Sequence, residues 1–497
     1  MRTTPILIAR FAARRHGVAP PLVAALLVLG GCATVPGLGP RPSLRTSESV
    51  AAARSLPGEP AAAWPGDRWW ETYGDPQLVG LINEALANAP DTAVVLARLR
   101  RAGAMTRQAR AGLLPTIDAQ GATTLEKQSQ NNGIPPQFVP DGWQDRGRLA
   151  AQAGFDLDLW GRNRAALAAA LSAERAAALD VAQARLTLSA AVASAYADLA
   201  AAFAEQDVRQ RALAVRQASR KLIAQRVTNG LDNRGSLRQA DVEEANARAA
   251  SIEAAAGLAA QRARLAALLG AGPDRGLDIV RPALAAPPLR PLPEDVTTDL
   301  VGRRPDVIAL RERAQAAASR IDVARADFFP AIRLGALIGV QSLGLENLAD
   351  AGSTFGSLGP AISLPIFRGG ALSGRFREAR SDFEEAVAVY DRAVVEAYRQ
   401  VAQAATLARS SHEQLVQART ALVAAEESYG VAERRFRAGL ANYLDVLAIE
   451  DRLLAARQRV AEAEAAVRTS DIALVQALGG GFAEQGQAAV TKDMPHG

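Results

Sequence analysis

The side chains able to do covalent or metal chemistry are few in this chain. It has three histidines, His16, His412 and His496, and one cysteine, Cys32. Nucleophilic catalysis needs a nucleophile, a base and an orienting group converging on one point, and no Ser-His-Asp or Cys-His set can be assembled from these residues. No glycine-rich segment ends in Lys-Ser or Lys-Thr to cradle a phosphate, and no histidine cluster has the spacing of a zinc site. His412 falls on the same helical row as Ala405 and Ala408, which makes it a packed or half-solvated structural residue. The abundant carboxylates are spread along helical segments among arginines, the pattern of solvated faces. The sequence therefore predicts a protein that is not an enzyme, holds no cofactor or metal, and takes any energy it uses from another protein.

Cys32 is the exception that carries chemistry. Residues 1–31 read as a signal peptide: basic residues to Arg15, an apolar stretch from Val18 to Leu29, then small residues before the cysteine. The stretch contains Pro20 and Pro21 and falls short of the roughly 20 apolar residues of a spanning helix. Leu29-Gly30-Gly31-Cys32 resembles a bacterial lipoprotein box, in which the cysteine is acylated and becomes the mature N-terminus. A lone cysteine also excludes an intramolecular disulfide. Ala33, not aspartate, follows it, and by resemblance to enterobacterial lipoprotein sorting this favours the outer membrane. Residues 32–63, rich in Pro, Gly, Ala and Ser, read as a lipidated tether with nothing that suggests a core.

The charge excludes a nucleic-acid partner. Lys and Arg number 57 against 52 Asp and Glu, but Arg2, Arg10, Arg14 and Arg15 precede Cys32, and removing them leaves an excess of one, which is no basic footprint. Hydrophobic residues make up 49% of the chain and aromatics only 5%. Such an alanine-rich, aromatic-poor composition points to long packed helices with thin seams.

The elements that must position these residues occur twice. Arg226 to Gly272 is written again from Arg435 to Gly481 at a constant offset of about 209, matching Gly230 with Gly439, Leu231 with Leu440 and Asn233 with Asn442. Pro90-Asp91 recurs as Pro305-Asp306 and Pro115 as Pro330. The resulting division is a first repeat over 64–272, a linker over 273–304, a second repeat over 305–481 and a disordered tail over 482–497.

After Pro115 and after Pro330 the hydrophobic period changes to two. Strands are expected at about 116–126, 148–159, 331–341 and 357–367, each with one apolar face and about as long as a tilted membrane-spanning strand. Four strands cannot close a barrel, since small membrane barrels need about eight and an open edge in lipid leaves amides unpaired. A trimer would supply about twelve. Alternation alone also fits soluble hairpins packed against helices.

Each strand pair is followed by a long helical run, from about Gly161 to Thr228 and from about Gly370 to Arg437. In the second, Val394, Val401, Ala408, Leu415 and Leu422 recur every seven residues, a coiled-coil seam. The first is fainter, with Leu188, Val192, Ala195, Leu199 and Ala202. Pairing Tyr196 with Tyr398 gives an offset of about 202 against 209 at the turns, which predicts that one rod is a heptad longer than the other. Each rod turns at Asn229-Gly230-Leu231 or Ala438-Gly439-Leu440 and returns as a shorter helix. The fold class expected is mixed and mainly α, with long coiled-coil helical hairpins and four β-strands per chain.

The segments WWETYGDPQLVGLINEAL, RRPDVIALRERAQAAASRIDVARADFFP, GPAISLPIFRGG, YLDVL and ALGGG, in this order, closely resemble the outer-membrane efflux protein family of the TolC and NodT type, and within it the lipoprotein branch serving resistance-nodulation-division pumps. The resemblance implies a homotrimer in which a twelve-stranded outer-membrane β-barrel continues into a periplasmic helical barrel, with an equatorial region built partly from 273–304. It implies a passive exit duct of a tripartite efflux system, with a periplasmic adaptor protein and an inner-membrane pump as partners. Gly230, Leu231, Gly439 and Leu440 are similar to the family's adaptor-docking tips, though both turns depart from its pattern at the first position. Leu444 and Asp445 match its periplasmic aperture, where three copies narrow the pore sterically and electrostatically. The family often has a second aspartate where this chain has Ala448, and Glu450 is a candidate substitute. The alternatives are a component of protein secretion and a lipid-anchored periplasmic spacer without a pore.

Overall fold

The computed structural model describes residues 35–60 and 62–483, without the side chains of Tyr443 and Leu444. The expected signal peptide, Cys32, the Leu444 side chain and all but the first two residues of the expected tail therefore lie outside the described residues. The chain divides into two compact units. One carries Met105–Ala170, Ala316–Phe383 and the described residues before Pro42; the other carries Pro42–Ala104, Leu171–Gln315 and the chain from Glu384 on.

The helices are α1 (Pro76–Asn88), α2 (Pro90–Ala111), α3 (Arg162–Thr228), α4 (Arg234–Leu268), α5 (Asp274–Leu277), α6 (Val296–Arg303), α7 (Pro305–Ala326), α8 (Ala371–Arg437) and α9 (Tyr443–Ala477). The strands are β1 (Thr116–Glu126), β2 (Gln144–Leu157), β3 (Ala331–Leu343) and β4 (Thr354–Ser363). Proline fixes the starts of α1, α2 and α7, where its missing N–H costs nothing. Asp75 caps α1 by accepting from the Gln77 N–H at 2.9 Å.

In the strand-bearing unit the four strands form one antiparallel sheet in the order β1-β2-β3-β4. Its register aligns the apolar positions of both repeats. Ile117 lies opposite Ala153, Ala153 opposite Ala336 and Ala336 opposite Leu358, while Ala119, Ala151, Ile338 and Gly356 make the next such row. Because side chains alternate with period two, Ile117, Leu149, Phe155, Ile332, Leu334, Ile338, Leu358 and Ile362 share one face. The opposite face carries Asp118, Gln120, Arg146, Arg148, Gln152, Asp156, Arg333 and Gln341. Apolar side chains on the first face stand open, Ile338 at 71% and Leu358 at 86%. The polar face is cross-linked, with Arg333 donating to Asp156 at 2.6 Å and Arg146 to Glu126 at 3.3 Å. Two strand positions differ from expectation. β2 begins at Gln144, not 148, because the ladder with β1 continues through polar pairs such as Thr124 with Arg146 that carry no apolar alternation. β4 is shifted toward the N-terminus, ending at Ser363, since Pro365 cannot donate to a ladder.

The other unit has two hydrophobic cores, each built mainly around the long helix of one repeat. The first gathers Trp69, Tyr73, Leu78 and Ile82 with Val192, Tyr196 and Leu199 of α3 and Leu258 and Leu265 of α4. The second gathers Val296, Leu300 and Val307 with Val394, Tyr398, Val401 and Ala408 of α8 and Leu474 and Leu478. Each fully buried Leu or Val here contributes about 1.5–3 kcal/mol. The heptad seam of α8 is buried from Val394 to Leu415 and only half-buried at Leu422 and Phe436. The linker holds α5 and α6 and is tied down by Arg290, which donates to Asp471 at 3.0 Å, and by Asp295, which accepts from Trp64 Nε1 at 2.8 Å.

Two expectations are corrected. The long helices α3 and α8 are both 67 residues, and α4 and α9 both 35. The starts of the long helices, 162 and 371, and their ends, 228 and 437, share the offset 209, so no heptad is inserted. Tyr196 and Tyr398 occupy the inner face one heptad out of register, because a shift of seven residues nearly preserves the face. The tether is likewise no free leash. Ala52 and Leu56 are buried in the second core with Leu44 and Val50 against it, and the Arg45 backbone N–H donates to Asp391 at 3.0 Å. Sparse apolar residues on an extended chain cannot form a core alone, but they fill a groove left by another.

Candidate functional site

The two hairpin turns are local structures written directly by sequence. In the first, Leu231 N–H donates to Arg226 O at 2.8 Å and Gly230 N–H to Val227 O at 3.1 Å; in the second, Leu440 donates to Arg435 O at 2.9 Å and Gly439 to Phe436 O at 3.0 Å. This pair of bonds is a Schellman motif. It requires the left-handed backbone found at Gly230, φ 68°, and Gly439, φ 71°, which a Cβ makes costly. The motif projects the next residue outward, leaving Leu231 66% and Leu440 71% exposed. Two glycine-leucine knobs thus stand at the ends of the hairpins.

The helices that leave these turns are capped differently. Asn233 accepts from the Ser236 N–H at 3.0 Å. Asn442 accepts from the Asp445 N–H at 2.9 Å, and Asp445 accepts in return from the Asn442 N–H at 3.4 Å, completing a capping box. Asp445 is exposed and so holds a local structural post as well as a charge. Leu444 is placed by its backbone in the first turn of α9.

Glu450 is not part of an exposed ring of acids. It is buried in the helical unit and accepts from Arg216 Nη1 at 3.1 Å, both side chains being 5% exposed. Arg216 also donates to the more exposed Asp451. The remaining oxygen, Oε1, has no partner among the described residues. Burial pushes the Glu450 carboxyl above the ordinary carboxylate range, against the pull of Arg216. This link joins the first long helix, α3, to the returning helix of the second hairpin, α9. Nearer the turns, the Arg226 guanidinium lies 5.9 Å from the Phe436 ring centroid and again joins the two hairpins. The sequence held one signal for the Arg216 link that went unused: Arg216 continues the buried row of Val208 and Ala212, where a charge needs a partner.

His412 is accounted for structurally. Nδ1 lies 2.8 Å from Ala408 O and Nε2 3.1 Å from Pro287 O, clasping the linker to α8. Among the described residues no three His, Cys, Asp or Glu side chains are grouped to hold a metal ion.

Comparison with known proteins agrees with this geometry. The family model described as "Outer membrane efflux protein" matches residues 81–271 and 297–480, one match for each repeat. The chain is 30% identical over 476 residues to the multidrug resistance outer membrane protein MdtQ of Escherichia coli O157:H7, covering 92% of this chain and 96% of that one. It is 32% identical over 402 residues to the fusaric acid resistance protein FusA of Burkholderia cepacia, covering 79% and 75% of the two chains. The crystal structure of the outer membrane protein VceC from Vibrio cholerae superposes with a TM-score of 0.79 at 37% identity, covering 84% of this chain and all of the other. With two matched repeats, a sheet carrying one apolar face and paired helical hairpins, the chain belongs to the outer membrane efflux protein family and is an outer-membrane efflux duct.

Proposed function

We propose that the duct is a homotrimer, lipid-anchored through Cys32, that receives cargo from a periplasmic adaptor and an inner-membrane resistance-nodulation-division pump and conducts it passively outward. The observation that carries the trimer is the sheet: four strands with one continuous apolar face, a polar reverse face, and free edges at β1 and β4. An open edge in lipid leaves amides without partners. Three copies, closing β4 of one against β1 of the next, give about twelve strands and no edge. The apolar face then meets lipid, and the face carrying Arg146, Arg148 and Arg333 lines the water path. A periplasmic spacer has no use for such a sheet.

The tips carry the remaining assignments. Gly230, Leu231, Gly439 and Leu440 offer the adaptor an apolar knob on each hairpin. Leu444 and Asp445, at the start of α9, narrow the periplasmic entrance in the trimer, with a single acidic ring because Ala448 supplies no second. The Arg216–Glu450 link holds α9 against α3 while the entrance is closed. Opening is a change in helix packing that parts them. The protein purified in mild detergent is expected to run as a heat-modifiable trimer, and Cys32→Ser is expected to lose the acyl mass while keeping the oligomer. A monomer that stays soluble once its lipid is removed would contradict the duct assembly. Deletion of the chain is expected to raise sensitivity to exported compounds.

A further inference from the structure

A cleft of about 590 Å³ in the strand-bearing unit has no role in these assignments, although it borders both faces of the sheet at its helix-side end. It is built where β2 passes into α3, α7 into β3 and β4 into α8. Trp160 anchors it, stacked on Phe329 with ring centroids 4.7 Å apart and donating from Nε1 to Pro330 O at 2.8 Å. The acids along the cleft are already matched. Asp156 is paired with Arg333 at 2.6 Å, Asp327 with Arg162 at 2.9 Å and Asp158 with Arg164 at 3.2 Å. Arg368 and Arg375 also line it, and neither guanidinium has a hydrogen bond or ion pair among the described residues. The cleft therefore carries two guanidinium groups beyond those its acids pair with.

Its other wall is apolar. Leu157, Ile332 and Ile362, at the helix-side end of the sheet's apolar face, line the same cleft. Ile366 and Phe367, in the step between β4 and α8, are 73% and 87% exposed. An inorganic anion would leave that wall wet, and an uncharged lipid would leave the guanidiniums without acceptors. An anionic headgroup on aliphatic chains satisfies both. Arginine is suited to the task because its planar fork takes phosphate oxygens in pairs.

We propose that this cleft binds an anionic glycerophospholipid, with the phosphate on Arg368 and Arg375 and the acyl chains along Ile332 and Ile362. The proposal rests on the reading of the sheet as membrane-spanning. It is tested on the full-length protein in nanodiscs of phosphatidylcholine containing one part in ten of phosphatidylglycerol, followed by native mass spectrometry of the released oligomer. The wild type is expected to retain phosphatidylglycerol preferentially, and R368Q/R375Q to lose that preference about tenfold. Arg377→Gln, an exposed position on α8 outside the cleft, is expected to change nothing. Equal retention in wild type and the double variant would overturn the site. So would full displacement of the lipid by millimolar inorganic phosphate, which would make it a site for free phosphate, or by an amphipathic anion supplied only to the duct interior, which would make it a cargo site. If the wild type keeps heat-modifiable mobility but shows no preference, the lipid site alone fails; if mobility is lost too, the membrane reading of the sheet fails.

Discussion

The two hairpin tips are the same turn built twice and then continued into differently capped helices. Gly230 and Gly439 adopt the same backbone, close the same pair of hydrogen bonds, and expose the leucine that follows. Beyond a shared asparagine they part. The first tip has Asn233 with Gly235 and Ser236, a single cap; the second has Asn442 with Leu444 and Asp445, a reciprocal cap that adds an apolar residue and a charge. Among the described residues only the second return helix carries buried acids, Asp471, held by Arg290 of the linker, and Glu450, held by an arginine of the other hairpin. Where the copies agree, the residues solve a backbone problem that both hairpins share. Where they differ, the second tip carries the residues of the proposed gate, Leu444 and Asp445 with the Arg216–Glu450 link, and the first has no counterparts among the described residues.

The largest effect that would break this contrast is at Arg216. Arg216→Ala strands Glu450 as an unpaired buried carboxyl, and losing one partner of a buried pair costs about 3–5 kcal/mol. Planar-bilayer recordings are expected to show a several-fold rise in the time spent open, with the trimer intact on gels. A trimer that stays closed would remove Glu450 from gating. At the turns the tips are expected to behave alike: Gly230→Val and Gly439→Val each cost about 1–2 kcal/mol for the left-handed backbone, read as similar losses in the melting temperature of helical circular dichroism. At the caps they separate. Asn233→Ala and Asn442→Ala are each expected to cost about 1 kcal/mol, and only in the second does the cap residue keep a bond from its backbone N–H to the third helical residue, Asp445. Hydrogen exchange in the first turns of α4 and α9 measures that difference.

The smallest expected effect is on pH dependence. Burial raises the Glu450 carboxyl, and the proposed opening would return it to water and toward its ordinary value. The closed form therefore binds a proton that the open form releases between those two values. Acidification through that interval favours the closed form, and rising pH favours opening. Glu450→Gln is expected to abolish this trend in open probability, and persistence of the trend in that variant would assign it to another group.

Much of the architecture was legible in the sequence because its signals are local. A two-residue period marked the strands, Pro-Asp pairs marked the starts of α2 and α7, and glycines marked the turns. What escaped depends on partners distant in sequence. The polar extension of β2 is dictated by β1, to which Arg146 is paired. The docking of Ala52 and Leu56 depends on a groove formed by elements more than 230 residues away. The Tyr196 and Tyr398 comparison failed because a heptad shift leaves the packing face nearly unchanged and so hides the true register. At the site, the tip residues were found by the repeat. Position alone links Glu450 to the entrance, since nothing near it in sequence announces Arg216, whereas the capping role of Asp445 does have a local signal in Asn442 three residues before it.

The central claim, that the second tip closes the duct and the first does not, is tested most directly by single-channel conductance of two matched variants in planar bilayers. One is Leu444→Ser with Asp445→Asn, which removes bulk and charge but keeps a side-chain acceptor for the cap; the other is Ser236→Ala in the first tip. The account predicts a several-fold larger conductance from the first variant and a wild-type trace from the second. Unchanged conductance in the first, or equal increases in both, would contradict it.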